Sequence, residues 1–161
     1  MSNLLKRKID FENYLSELEK NEKYTQGDDY QLKEGDIILH EMNTFFLIIK
    51  AGDRSCKAIA VTPYYRLCDQ RCAIFSARLN LLMNHLWGAT PFTYEMKKSQ
   101  IKSSILIGKI NSEDFPAIKD FSEGESIPES YRGLEIAIGE DTYQNDFFES
   151  EKKRFEAFNS R

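Results

Sequence analysis

The sequence contains few cysteines, few prolines and no long apolar run. Its 161 residues include three cysteines and four prolines, and no stretch approaches the ~18 consecutive apolar residues that a membrane helix requires. An odd number of cysteines in a chain without an export signal argues against a disulfide framework and for reduced thiols. The opening residues, MSNLLKRKIDFENYL, reach Asp10 before any long apolar run. We therefore expect neither a secretory signal nor a transit peptide, and a cytoplasmic protein.

The sequence also lacks the motifs of common enzyme classes. It has no Ser-His-Asp order, no glycine-rich phosphate loop and no HExxH, and His40 and His85 are its only histidines. A histidine is the usual general base near neutral pH, so few residues could carry such chemistry. We expect an interaction protein rather than an enzyme, and neither a metal nor another cofactor.

What remains is the composition of an ordinary globular domain. Apolar residues make up 41% and charged residues 30% of the chain, values typical of soluble folded proteins. A chain of this length buries roughly 70% of the surface that it exposes when unfolded. We therefore expect residues 1–161 to form a single globular domain.

The hydrophobic pattern predicts an α+β fold. Apolar residues at helical spacing over 3–20, 70–87 and 141–158 predict N-terminal, central and C-terminal helices, with Asp69 and Gly88 as the cap and stop of the central one. Short apolar runs predict three consecutive strands between 36 and 62, ended by Pro63, and further strands over 103–110 and 133–140. Residues 118–132 read as a surface loop. The sheet is expected to be small and antiparallel, curled into a barrel or half-barrel.

One stretch, CDQRCAIFSARLNLLMNHLWG, resembles part of a zinc finger in its spacing. Cys68, Cys72 and His85 form C-x3-C-x12-H, but no histidine follows three to five residues later. In a helix over 70–87, Cys72 and His85 would lie about 20 Å apart, at 1.5 Å per residue. We expect Cys72 to be a core residue. A reactive thiol at Cys68, Cys72 or Cys56 stays an alternative, because Arg66 and Arg71 stand close enough to lower a thiol pKa.

Charge is divided unevenly along the chain. Residues 50–112 hold ten basic and three acidic residues, a net charge of +7, and residues 113–151 hold two basic and twelve acidic residues, a net charge of −10. The two blocks could neutralise each other or lie separately in solvent. Alternatively, either block could be the functional face, since a field of one sign steers an oppositely charged partner.

The acidic block gives the leading hypothesis. Asp120, Glu123, Glu125 and Glu129 surround one polar stretch without the regular spacing of a calcium loop. Such carboxylates suit docking onto a basic protein, such as a nuclease or another nucleic-acid-binding protein. The sequence therefore predicts an inhibitor of a basic partner: an immunity protein, an antitoxin-like inhibitor or a phage-encoded inhibitor.

The basic block gives the alternative. Tyr64, Tyr65, Arg66 and Arg71 combine aromatic rings with positive charge, as single-stranded nucleic acid binding requires. On this reading the protein is a small RNA-binding barrel. It could also cleave RNA, with His40 as the base and Arg66 or Arg71 stabilising the charge on the phosphate.

Overall fold

The structure is a computed structural model, and it describes residues 32–40, 44–79, 84–101, 104–133 and 142–160. The helix predicted over 3–20 lies outside these residues. So does nearly all of the strand predicted over 133–140. Within the described ranges, no helix combines the length and apolar character needed to cross a bilayer.

The described residues form six strands and three helices. The strands are β1 (Asp36–His40), β2 (Thr44–Ala51), β3 (Ser55–Thr62), β4 (Ala73–Leu79), β5 (Asn84–Lys97) and β6 (Ile105–Ile110). The helices are α1 (Lys98–Ile101), α2 (Phe115–Ser122) and α3 (Tyr143–Asn159), with 3₁₀ turns at Tyr65–Leu67 and Glu129–Tyr131.

The six strands close into an antiparallel barrel in the order β1-β2-β3-β5-β4-β6, with β6 paired to β1. The three-stranded meander predicted for β1 to β3 is confirmed, as are the β6 strand and the barrel-like sheet. β3 pairs with β5 and not with β4. Residues 63–72, which we call the arginine loop, therefore carry the chain from β3 past β5 to β4.

The central helix predicted over 70–87 is wrong. The same residues supply β4 and the start of β5, which pair with Phe75 opposite Trp87 and Ala77 opposite His85. Ala73, Phe75 and Ala77 are buried, whereas Ser76 is half-buried and Arg78 is exposed. This is the period of two that a strand requires. The leucines and alanines of the stretch also fit a helical period, and long-range pairing decided between the two.

Successive side chains along each strand point to opposite faces of the sheet, and this produces two apolar clusters. The inner cluster draws on all six strands and fills the barrel: Ile37, Leu39, Phe45, Leu47, Ile49, Ile59, Val61, Ala73, Phe75, Ala77, Trp87, Ala89, Ile107, Ile110 and, from α2, Ile118. The outer cluster lies on the opposite face: Ile38, Phe46, Ile48, Cys56, Ala58, Ala60, Tyr94, Met96 and Ile101. A barrel this small has room for side chains and little else.

The C-terminal helix predicted from the sequence is confirmed as α3, and it packs on the outer cluster. Phe155 and Phe158 lie 5.3 and 5.0 Å from the Tyr94 ring, measured between ring centroids. The helix begins at a Thr142 cap, whose side chain accepts a hydrogen bond from the Asn145 N–H at 3.1 Å. The phenylalanines of α3 are only half-buried, because α3 lies across the outside of the barrel.

Candidate functional site

The arginine loop is held at its start by the barrel. The Tyr64 N–H donates to the Thr62 side chain at 3.1 Å, and His85 Nε2 donates to the Pro63 carbonyl at 2.9 Å. Pro63 ends β3 because it has no N–H for the next ladder bond. Both predicted aromatic residues, Tyr64 and Tyr65, are half-buried.

Arg71 is occupied inside the molecule. Its Nη2 and Nε donate to the Asp69 carboxylate at 2.7 and 3.1 Å, and its backbone N–H donates to the same carboxylate at 2.9 Å. The guanidinium lies 3.8 Å from the centroid of the Phe148 ring of α3 and contacts Asn145 Oδ1 at 3.4 Å. The Asp69 hydrogen bond raises the pKa of Arg71. Asp69 is 3% exposed. Because the guanidinium that it holds also contacts Phe148 and Asn145, this fork-shaped pair fastens α3 to the loop.

Arg66 has a different environment. Its side chain is exposed, and its guanidinium carbon lies 5.7 Å from the centroid of the Tyr65 ring. Its backbone carbonyl accepts a hydrogen bond from Gln144 Nε2 at 3.0 Å. Of the two arginines predicted to contact nucleic acid, Arg66 faces solvent and Arg71 is bound to Asp69.

The three residues of the zinc-like spacing are not brought to one point. Cys68 and Cys72 are both buried in the arginine loop, but His85 pairs across from Ala77. Cys72 therefore lies about 16 Å from His85 along the strand direction, at 3.3 Å per residue. The prediction that Cys72 is a core residue is confirmed, although the residue precedes a strand and is not on a helix. Among the described residues, no three His, Cys, Asp or Glu side chains are grouped as a metal site would need.

His40, the predicted base of the RNA-cleavage hypothesis, lies at the end of β1. Its Nδ1 shares a hydrogen bond of 2.9 Å with the buried Ser104 hydroxyl, and its ring meets the edge of Phe46 at 6.1 Å between centroids. Arg71 bonds to Asp69 and Asn145 instead. The structure thus gives His40 and Arg71 different hydrogen-bonding partners within the described ranges.

The acidic segment, residues 113–129, is built on α2. The sequence predicted a loop over 118–132, but α2 covers its first part and a 3₁₀ turn its last, so the prediction is wrong there. Pro116 at the start of α2 suits the first turn of a helix, and Phe115, Ile118 and Phe121 recur at helical spacing. Gly124 and Pro128 concealed this pattern, because they are strong loop signals.

Two anchors fix this segment to the barrel. Ile118 is completely buried in the inner cluster, with Phe121 and Ile127 packed beside it, and burying such a side chain is worth about 1.5–3 kcal/mol. The Asp114 carboxylate accepts hydrogen bonds from the Ser76 N–H at 2.8 Å and from the Tyr131 hydroxyl at 3.1 Å. The second bond raises the pKa of Tyr131.

The four predicted partner-binding carboxylates are all exposed: Asp120, Glu123, Glu125 and Glu129. None of them forms an ion pair with a described residue, and the ion pairs that the described ranges contain join Asp69 to Arg71 and Glu151 to Arg154. Their backbone is nevertheless ordered, because the N–H groups of Glu123 and Glu125 both donate to the Asp120 carbonyl at 3.0 Å. The segment therefore presents, on a fixed support, negative charge that no residue of the described ranges neutralises with an ion pair.

Sequence reasoning missed three features around these sites. The Asp69–Arg71 pair is close in sequence, but its partner Phe148 comes from the far end of the chain. Ser104 gave no signal beside His40. Ile118 could have been found from its spacing to Phe115 and Phe121. No protein-family model, curated protein or solved structure matches the chain.

Proposed function

We propose that this protein docks onto a basic surface of another protein through Asp120, Glu123, Glu125 and Glu129, and that it inhibits or neutralises this partner. An immunity protein, an antitoxin-like inhibitor and a phage-encoded inhibitor all act in this way. The partner is a nuclease or another nucleic-acid-binding protein, whose substrate surface is basic. No catalytic group of this chain takes part.

One observation carries the proposal: the four carboxylates are exposed and, within the described ranges, without an ion pair. When a carboxylate is already paired with an arginine, the two charges largely cancel, and little of the carboxylate's field reaches a partner. An unpaired cluster attracts positive charge over about 10 Å at moderate ionic strength, and such a field raises the rate of encounter with a basic partner.

The anchoring of the segment supports the same proposal. Ile118 and Asp114 tie α2 to the barrel, so the backbone that carries the four carboxylates is held before any partner arrives. Binding then costs less ordering of the chain than it would for a flexible acidic tail. The cost that remains is the ordering of the glutamate side chains.

The test uses immobilised polylysine as a generic basic surface, and compares two variants of equal net charge. The first carries Glu123→Gln, Glu125→Gln and Glu129→Gln. The control carries Glu34→Gln, Asp53→Asn and Glu95→Gln, which are also exposed. We expect the first to weaken binding about tenfold, since three rim charges together supply about 1.4 kcal/mol, and the control to weaken it less. Equal weakening by both variants would mean that only net charge matters.

A second candidate, single-stranded RNA binding, is favoured by the exposed Arg66 side chain over Tyr65. On this alternative Tyr64 and Tyr65 stack bases and Arg66 contacts a phosphate. Filter binding with labelled single-stranded RNA, repeated with Arg66→Ala and His40→Ala, separates the two proposals. RNA retention that Arg66→Ala abolishes would favour this alternative, and cleavage that His40→Ala abolishes would add a nuclease activity. Absence of retention at low salt would exclude it.

A further inference from the structure

The side of the barrel that α3 covers is lined with aromatic rings. Phe46 of β2 lies 5.0 Å from Tyr94 of β5, measured between ring centroids, and Phe92 packs against the same cluster. We call these three residues the aromatic face. From α3, Phe155 lies 5.4 Å from the Phe92 ring and Phe158 lies 5.0 Å from the Tyr94 ring. The proposed docking function uses none of these residues.

Tyr94 carries a hydroxyl that α3 leaves unsatisfied. The residue is 1% exposed, and its hydroxyl has no hydrogen-bond partner among the residues that the structure describes. Its ring lies between Phe46 on the barrel side and Phe155 and Phe158 on the α3 side, so the hydroxyl is enclosed in the interface with the helix. A buried hydroxyl without a partner is unfavourable, and most such groups in folded proteins are bonded.

The helix also brings a carboxylate to this interface. Glu151 is 13% exposed, and its ion-pair partner at 3.0 Å is Arg154 of the same helix. Burial raises the pKa of Glu151, which means that the charged form is disfavoured where it lies. Within the described ranges, neither Glu151 nor the Tyr94 hydroxyl forms a hydrogen bond across the interface. The rings of α3 therefore suit the aromatic face, but its polar groups do not.

The two halves of α3 are held differently. In the first half, Gln144 donates to the Arg66 carbonyl at 3.0 Å, and Asn145 contacts the Arg71 guanidinium at 3.4 Å. From Glu151 onward, the described hydrogen bonds of α3 stay within the helix, and ring contacts alone hold it to the barrel. The second half can therefore leave the aromatic face while the arginine loop still holds the first.

We propose that the aromatic face binds an amphipathic helix of a partner protein, and that α3 occupies it when this helix is absent. The contacts of α3 show what such a helix needs. Phe148, Phe155 and Phe158 follow one another at positions i, i+7 and i+10, which lie on one side of a helix, as in other helix-in-groove complexes. At i+3, where α3 has Glu151, the partner carries a neutral hydrogen-bonding side chain that bonds to the Tyr94 hydroxyl.

The first test measures whether opening α3 uncovers a binding site. The probe is a labelled synthetic peptide of residues 142–160 carrying Glu151→Gln, titrated into the full chain by fluorescence anisotropy. Lys153 is exposed in the middle of α3, so Lys153→Pro breaks the helix without removing a contact, and Lys153→Ala is the matched control. We expect Lys153→Pro to bind the peptide about a hundredfold more tightly than Lys153→Ala, because an interior proline frees the aromatic face.

The second test asks whether the Tyr94 hydroxyl is recognised. The peptide with Glu151→Gln should bind to Lys153→Pro about fivefold more tightly than a peptide with Glu151→Met, which has a similar length and no strong hydrogen-bonding group. Adding Tyr94→Phe to the protein keeps the ring and removes the hydroxyl. The preference for Gln over Met should then disappear.

Several outcomes would overturn the proposal. They are equal binding of the peptide by the two Lys153 variants, undiminished binding of a peptide with Phe148→Ala, Phe155→Ala and Phe158→Ala, and a preference for Gln that survives Tyr94→Phe. Tighter binding of oligouridylate than of the peptide would assign the face to single-stranded nucleic acid. Wild-type dimers that exchange α3 would assign it to a second copy of this chain.

A milder variant keeps the test decisive where Lys153→Pro unfolds the barrel, which loss of amide-exchange protection in β2 and β5 would reveal. Thr142→Ala removes the cap of α3 and destabilises the helix more gently. It should bind the peptide about fivefold more tightly than wild type, and unchanged binding would overturn the proposal. None of these measurements involves the acidic segment, so their failure would leave the docking proposal and its polylysine test untouched.

Discussion

The arginine loop and the acidic segment are both charged connections outside the strands of the barrel, yet they use charge in opposite ways. Arg71 directs its guanidinium at the buried Asp69 and at Phe148 of α3. The acidic segment instead leaves Glu123, Glu125 and their neighbours in solvent without an ion pair to a described residue. A block of charge in a sequence therefore does not identify a functional face. The pairing of its members has to be known as well.

The difference follows from what lies within reach of each charge. Arg71 meets a carboxylate two residues away and an aromatic face on α3, and a planar guanidinium binds both. The acidic segment contains one cation, Lys119, against six carboxylates. The loop therefore stabilises the fold through its ion pair, whereas the segment is held by the burial of Ile118 and the hydrogen bonds of Asp114, and its exposed carboxylates take no part.

The largest expected effect comes from removing the ion pair of the arginine loop. Arg71→Ala leaves the Asp69 carboxylate buried with only a backbone N–H as its described partner, and removing one member of a buried pair costs about 3–5 kcal/mol. We expect the lower part of this range, because that N–H remains. Urea unfolding of wild type and variant measures the loss.

Arg66→Ala is the matched control, since Arg66 is exposed in the same loop. Its cost should stay within about 0.5 kcal/mol, as for most surface positions. If the two arginine variants lose equal stability, the loop does not hold α3 through Arg71, and its charges contribute no more to the fold than exposed ones.

The next largest effect should come from weakening the apolar anchor of the acidic segment without changing the segment's charge. Ile118→Val removes one methyl group from a completely buried side chain, and such changes cost about 1 kcal/mol. Ile127→Val, at a half-buried position beside it, should cost less. Thermal unfolding of the two variants compares them. A larger loss at Ile127 would place the anchor of the segment at its end and not in α2.

Much of this contrast could be predicted from the sequence, but the contacts between distant parts of the chain could not. The strands β1 to β3 follow from short apolar runs, and the exposed glutamates follow from their polar surroundings. The pairing of β4 with β5 depends on neighbours far along the chain, so the leucine-rich stretch was mistaken for a helix. Gly88 was predicted to end a helix. A glycine is needed there because the Cys68 sulfur lies against it, and this contact between distant parts of the chain leaves no local signal. Likewise, nothing near Arg71 in sequence indicates Phe148.

A smaller effect concerns Glu151, a carboxylate that folding does bury. Burial raises the pKa of Glu151, opposed by its ion pair with Arg154 at 3.0 Å. The folded state therefore holds its proton more tightly, and stability falls as the pH rises from the ordinary value of 4.5 through the raised one. We expect Glu151→Gln to be more stable than wild type at neutral pH.

Unfolding measured across this pH range tests the sign. The difference between Glu151→Gln and wild type should be largest above the raised pKa, and it should shrink as the pH falls below 4.5, where both side chains are neutral. A wild type that is the more stable protein at neutral pH would show that the Arg154 pair outweighs burial, so that α3 gains from its charge as the arginine loop does.

The smallest effect should come from the residues proposed to matter most for binding. Combining Glu123→Gln, Glu125→Gln and Glu129→Gln removes charges that have no described ion-pair partner to lose, so each should change the free energy of unfolding by less than about 0.5 kcal/mol. At low salt the change should be a gain, because neighbouring carboxylates repel, and it should vanish at high salt. A clear loss of stability would mean that the folded protein pairs these glutamates internally. Weakened binding at unchanged stability would instead assign the charge to a partner.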